Sequence, residues 1–282
     1  LKGAVIKDKQ AEGRTISKGL EKTEKPSLQL TLDTDIKKAQ DYLAKMEFNI
    51  GKDKTGQFLI DGRMGCLTSS SLIIFQYKMG LKLTGEVNRE TLAAMEKCVK
   101  EGKKYSNIMN IEGRDLHTID KTKFRNGRYD ESKLVKVASA EKKPGVLPEK
   151  VAVAWALMVQ EAANDPKIKI SRFLLTGDIS GYRSYEMQKE CKRIYGRNAA
   201  TPGTSNHGWG LAIDFNVANK RSIKDYPNGV PAGSYEVEWL EKNAHKFGFK
   251  PILASGRPQL DNGANNYFEN WHWEFDPKFK IN

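Results

Sequence analysis

The sequence of 282 residues predicts an α+β chain: a small three-helix unit, then an α+β domain whose sheet is small and mainly antiparallel. Three observations lead there. Between Asp33 and Cys98 apolar residues recur at helical spacing, punctuated by glycine turns. Beyond residue 145, helical runs mix with apolar segments of strand length. A polar, charged stretch over residues 101–144 lies between the two patterns and reads as a linker with some strand content that begins the second domain, 145–282.

Residues 1–32 are rich in Lys, Glu, Gly and Ser and read as an arm or linker. In the first unit, Ile36, Ala39, Leu43 and Met46 share one helical face, with Asp33 or Thr34 as the cap. A loop from Gly51 to Gly65 leads to a second helix, about Thr68 to Met79, which Gly80 stops. After a Thr84-Gly85 turn a third helix runs from near Asn88 to Cys98. In the second domain Val151–Ala163, Tyr185–Tyr195 and Glu236–Phe247 read as helices, and Phe173–Leu175, Leu211–Val217 and Trp271–Phe275 as strands.

Bulk properties narrow the function without choosing it. No apolar run is long enough to cross a bilayer, so a soluble chain is expected, with no membrane partner. The formal net charge of +12 draws polyanions, whether nucleic acid, anionic membrane or anionic cell wall. No nucleic-acid-binding motif accompanies it, and no nucleic-acid partner is expected. Three widely spaced cysteines, Cys66, Cys98 and Cys191, give no disulfide framework and no metal pair, so buried free thiols are expected. The chain opens Leu-Lys-Gly, without Met and without a visible signal segment, as a piece of a longer product or a processed one would.

The chemistry concentrates in two stretches, Ser205 to Asp214 and Glu269 to Glu274. A catalytic zinc site takes three protein ligands and keeps a fourth position open. His207, Asp214 and His272 supply two imidazoles and a carboxylate, and Glu269 a spare carboxylate suited to general-base work. Gly208 and Gly210 allow a tight turn between His207 and the strand that holds Asp214. Apolar Ile213 and Phe215 flank Asp214, so alternation turns its carboxylate to the opposite face. A lone histidine on a strand is more often a packed or surface residue; it is the grouping that points to a metal. The tryptophans Trp209, Trp271 and Trp273 read as core or cleft walls, and His117 and His245 receive no role.

Two resemblances follow from these residues. Asp61-Gly62, Gly65, Thr68, Phe75-Gln76, Gly80-Leu81, Thr84-Gly85, Val87 and Thr91 together resemble the peptidoglycan-binding domain often joined to wall hydrolases, over residues 33–100. Ser-x-His-x-x-Gly-x-Ala-x-Asp at Ser205–Asp214, Glu-x-x-His at Glu269–His272 and Ser180-Gly181-Tyr182-Arg183-Ser184 resemble the zinc D-Ala-D-Ala carboxypeptidase family, which includes vancomycin-resistance carboxypeptidases and phage endolysins. That resemblance implies a zinc peptidase acting on peptidoglycan, with Zn2+ on His207, Asp214 and His272. It implies Glu269 as general base, Arg183 as carbonyl and oxyanion partner, and Ser205 as a contact to substrate backbone. It also implies an extracellular, wall-associated or virion-associated setting, with a larger phage or tail assembly as one context. Trp271-His272-Trp273-Glu274 and the Trp239–Ala244 helix lean toward the carboxypeptidase branch. An L-Ala-D-Glu endopeptidase of a lysin and a catalytically silent wall-binding protein stand as alternatives.

Overall fold

The computed structural model describes residues 26–105, 116, 119–216, 235–251 and 271–281. Within them the chain is mixed α+β, helical first and then helices with small antiparallel sheets.

The first helix, α1, runs Pro26–Lys45. It therefore begins well before the expected cap, and Asp33 and Thr34 lie inside it. Proline fits a first helical turn because its missing N–H has no partner there anyway. Ile36, Ala39, Leu43 and Met46 are buried, as their spacing requires, and Phe48 and Ile50 extend the same core. Helix α2, Cys66–Lys78, follows Gly65, and helix α3, Arg89–Lys100, is capped by Asn88, whose side chain accepts from the Thr91 N–H.

Two buried glutamines hold the loops between these helices. The Gln40 carbonyl accepts from the Gly62 N–H, and its amide donates to Asp61, to the Arg63 carbonyl and to Thr68. Gln76 accepts from the Thr84 and Gly85 N–H groups and donates to Thr84, the Glu86 carbonyl and Thr91. A buried amide needs such full pairing. Most of the polar residues in the first sequence pattern are thus partners of one of these two side chains.

Helix α2 is buried on nearly every side, although Ser69, Ser70 and Ser71 lie in its middle. The reason is α4, Glu149–Ala162, which packs along it. The Gln160 amide donates to Ser70 Oγ at 2.7 Å and Ser71 Oγ at 3.1 Å, and Ser69 Oγ accepts from the Ala138 N–H at 3.2 Å. One continuous hydrophobic core therefore runs from Leu43 and Phe75 through Trp155 to Phe215 and Trp273.

The expected strand content of the linker is a hairpin: β1, Leu134–Val137, pairs antiparallel with β2, Gly145–Pro148. A second sheet has β3, Ala212–Asp214, and β4, Phe249–Pro251, on either side of β5, His272–Phe275, all antiparallel. Helix α5 spans Tyr185–Tyr195 and α6 spans Tyr235–Asn243. The helix expected to reach Phe247 tightens to a 3-10 turn over Ala244–Phe247. The expected strand at Phe173–Leu175 is not formed: Ile170–Phe173 is a 3-10 turn, and the Phe173 carbonyl accepts from the Trp155 indole at 3.0 Å rather than from a strand. Leu175 alone bridges to Ser139 and Phe215. The expected strand over Leu211–Val217 is shorter, and Val217 lies outside the described residues, as does His117. Cys66, Cys98 and Cys191 are free and buried. Among the described residues no helix is long and apolar enough to cross a membrane.

Gly85 lies close against the second half of the chain. Its φ is +66°, and a Cβ there would run into the Lys136 carbonyl of β1. The adjoining Thr84 carbonyl accepts from the Lys136 N–H at 2.9 Å. Gly85→Ala is expected to cost about 2–4 kcal/mol, from left-handed strain plus steric displacement. Urea denaturation checks this; a loss below about 0.5 kcal/mol, the size of a neutral surface change, would show that the contact is not tight.

Candidate functional site

The site forms where β3, β5 and two loops meet. Asp214 ends β3 and pairs in register with His272, the first residue of β5. Strand alternation buries Ile213 and Phe215 and leaves the Asp214 carboxylate on the other face, as expected. His207 sits in a 3-10 turn, Asn206–Trp209, that Ser205 caps and Gly210 closes with φ +69°. Gly208 works differently from the expected tight turn: its missing Cβ makes room for the Asn126 side chain.

The two imidazoles are oriented by partners outside the cluster. His207 Nδ1 lies 2.8 Å from the Gly181 carbonyl, which can only accept, so this nitrogen carries the proton. Burial lowers the His207 pKa and so favours the neutral ring, opposed by the Asp214 charge. Its bare Nε2 then faces Asp214 Oδ2 at 3.3 Å. His272 presents Nδ1 to Asp214 Oδ1 at 2.8 Å, while its Nε2 lies 3.7 Å from Glu274 Oε1. Burial opposes the Asp214 charge, but the effects of the two adjoining histidines, His207 first, outweigh it and hold its pKa well below the usual carboxylate range.

Arg183 completes the cluster. Its Nη2 stands 3.7 Å from Asp214 Oδ2, and the guanidinium is fixed by donating to the Ile179 carbonyl and, at 2.8 Å, to Gln188 Oε1. The backbone is laced around it: the Arg183 N–H donates to the His207 carbonyl and the Asp214 N–H to the Ser180 carbonyl. The Ser180–Ser184 segment thus supplies a carbonyl for His207, a cation for Asp214 and, through Ser184, the cap of α5.

The donor set suits a metal ion. His207, Asp214 and His272 each offer one ligand atom, all within 4.8 Å of one another. With Nδ1 of His207 spent on a carbonyl, its other nitrogen offers a lone pair toward a carboxylate oxygen, and a cation between two such acceptors resolves the contact. The Asp214 side chain keeps 18% of its exposure, enough to leave an approach from solvent.

The structure brings together Arg183, Ser205, His207, Asp214 and His272; Glu269 lies outside the described residues. Ser205 is buried, and its Oγ accepts from the His207 N–H at 3.3 Å, so one of its tasks is to cap the ligand-bearing turn. Trp273 is core, and Trp209 and Trp271 are half-buried at the margins, as expected of wall residues. His245 is exposed and away from the cluster. Three residues with no role from sequence stand behind the site. Glu274 faces His272 and accepts from Asn206 at 2.6 Å, Gln188 holds Arg183, and Asn126 donates to the Ser205 carbonyl at 2.7 Å.

The α+β domain thus gathers two imidazoles, a carboxylate and a fixed guanidinium at the end of a small antiparallel sheet, a donor set that could hold a metal ion. Residues 146–278 match the VanY family, D-alanyl-D-alanine carboxypeptidase, and residues 33–95 match a peptidoglycan binding domain family. The chain thus carries a VanY-family domain behind an N-terminal domain of the peptidoglycan-binding family. It is 29% identical over 96 residues to a D-alanyl-D-alanine carboxypeptidase of Enterococcus faecalis (strain ATCC 700802 / V583), a match over 34% of this chain and 30% of that relative. The matched segment thus spans less than a third of the relative's length. A solved structure, VanYB in complex with D-Alanine-D-Alanine, is 21% identical, with 52% of this chain and 78% of that one covered and a TM-score of 0.32, too low to bear on the fold.

Partners that orient ligating histidines typically contribute 10–100-fold to metal affinity. Glu274→Gln is therefore expected to weaken divalent-metal binding by about 10–100-fold, measured by competition with a chromogenic chelator. Unchanged affinity would remove Glu274 from the metal-orienting set.

Proposed function

We propose that this chain is a zinc-dependent peptidoglycan peptidase that removes the terminal D-Ala from stem peptides, with residues 33–100 as its wall anchor. The observation that carries this is the convergence of His207 Nε2, Asp214 and His272 Nδ1 beside a fixed Arg183. The match to the D-alanyl-D-alanine carboxypeptidase family supports the bond, and the match to the peptidoglycan-binding family supports the polymer as substrate. A net charge of +12 suits an anionic wall. The setting that follows is extracellular, at the cell wall or carried on a virion.

His207, Asp214 and His272 would hold the zinc, which when bound supplies Lewis acidity and makes water more acidic. The chain's own groups do the rest. Arg183, held by Gln188 and largely sealed from water, binds the scissile carbonyl oxygen and stabilises the negative charge that develops on it. Glu269, placed by its spacing three residues before His272, takes the proton of the attacking water and returns it to the leaving amine nitrogen. Ser205, at the edge of the turn, meets the substrate backbone.

Digestion of purified peptidoglycan, followed by mass spectrometry, tests the assignment. Released D-Ala is expected, lost with a chelator and restored by zinc. New L-Ala carboxyl ends and D-Glu amino ends would move the cut to the L-Ala-D-Glu bond. No product from zinc-loaded protein on several wall types would leave a silent wall-binding protein. Arg183→Ala is expected to lower kcat by about 10²–10³-fold, the usual loss for one oxyanion partner. A change in KM alone would reassign Arg183 to ground-state binding.

A further inference from the structure

A shallow, open cleft beside the His207 turn has no part in the chemistry above. Lys121, Lys123, Phe124, Arg125, Asn126 and Trp209 line it, it has a volume of about 610 Å³, and no acid lines it. Lys121, Lys123 and Arg125 are exposed. Lys121 lies over the Trp209 ring at 5.4 Å, and Phe124 meets the same ring edge-on at 5.3 Å. Among the described residues neither Lys121 nor Arg125 has an ion-pair partner, whereas Lys123 forms a long, exposed pair with Asp120 at 3.8 Å. Asp120 itself is turned into its own loop, accepting from the Thr122 hydroxyl at 2.6 Å and the Thr122 N–H at 2.9 Å.

The strap that carries these cations is fastened on both sides of the cluster. Asn126 donates to the Ser205 carbonyl at 2.7 Å, and the Gly127 N–H to the Gly208 carbonyl at 2.8 Å, so it grips the turn that bears His207. Its Tyr129 N–H donates to the Tyr182 hydroxyl at 3.0 Å, next to Arg183, and the Gly127 carbonyl accepts from the Tyr185 N–H at 2.9 Å. The positive wall is therefore held at a fixed place relative to the reacting centre. The strap precedes residues 146–278, the span of the family match.

We propose that this cleft is a subsite for a carboxylate of the peptide substrate, upstream of the bond that is cut, with Lys121, Lys123 and Arg125 as its cationic wall and Trp209 as its floor. The inference rests on the peptidase reading for the identity of the peptide. In a stem peptide the free α-carboxylate of γ-linked D-Glu is the matching group. Three exposed cations, of which only Lys123 has an acid nearby, favour such an anion, and the half-buried ring lowers the water content around it.

The probe is γ-D-Glu-L-Lys-D-Ala, which has neither a D-Ala–D-Ala nor an L-Ala–D-Glu bond, compared with the same peptide carrying D-isoglutamine. Calorimetric titration of the full chain at low salt is expected to show the carboxylate peptide binding about five- to tenfold more tightly, in the range of a few partly exposed charge contacts. The preference should vanish in the triple variant Lys121→Gln, Lys123→Gln, Arg125→Gln and shrink at high salt. Equal binding of the two peptides, or a preference that survives in the triple variant, would overturn the subsite. These exposed side chains can change without loss of fold, which circular dichroism checks. Turnover of the pentapeptide separates the two readings: D-Ala release without a carboxylate preference leaves the peptidase and removes the subsite. A preference without any turnover keeps the subsite and removes the peptidase.

Discussion

Everything at this site is arranged around one carboxylate. Asp214 receives His207 from one side, His272 from another and Arg183 from a third, and its own N–H is taken by Ser180. A buried charge is costly unless its surroundings compensate it. Here the compensation comes from distant parts of the chain, so the strand end, the His207 turn and the Ser180–Ser184 segment reach their places together. Removing the carboxylate would leave a guanidinium and two imidazoles converging on an empty centre, and a metal ion would lose the anionic ligand that the described residues offer it.

That arrangement sits on a frame made by both halves of the chain. Helix α4 fills the space between α2 and the sheet, with Trp155 packed under Phe173 and Gln160 reaching into the serines of α2. β1 is joined to the Thr84-Gly85 turn on one face and to β2 on the other. β2 in turn supports the site, because the Val146 carbonyl accepts from the Tyr182 N–H at 2.7 Å, next to Arg183. The N-terminal helices are thus part of the scaffold behind the reacting groups as well as a neighbour of it.

Much of this was legible in the sequence because it is local. Helical spacing located α2 and α3, and the alternation of Ile213, Asp214 and Phe215 oriented the carboxylate. The same period of two puts Glu274 on the face of His272, a signal present in Trp-His-Trp-Glu. What local pattern could not show was contact across the chain. Three consecutive serines in α2 look like a solvated stretch until Gln160 is set against them. Asn126 and Gln188 are ordinary amides in sequence and become positioning groups only when Ser205 and Arg183 arrive beside them. Phe173–Leu175 has strand composition, yet the Trp155 indole claims the carbonyl that a ladder would need.

The shared core of α2 and α4 has a mechanical meaning. Two modules on a flexible tether explore a sphere, and the bound one presents the other to many places at moderate effective concentration. Here a packed helix pair replaces the tether along part of its length, so the two modules turn as one piece. Under the proposed activity, a grip on one glycan strand would set which neighbouring peptides come within reach. Reach would then be a property of wall geometry, the spacing and tilt of the strands, and strand spacing would decide which bonds are spared.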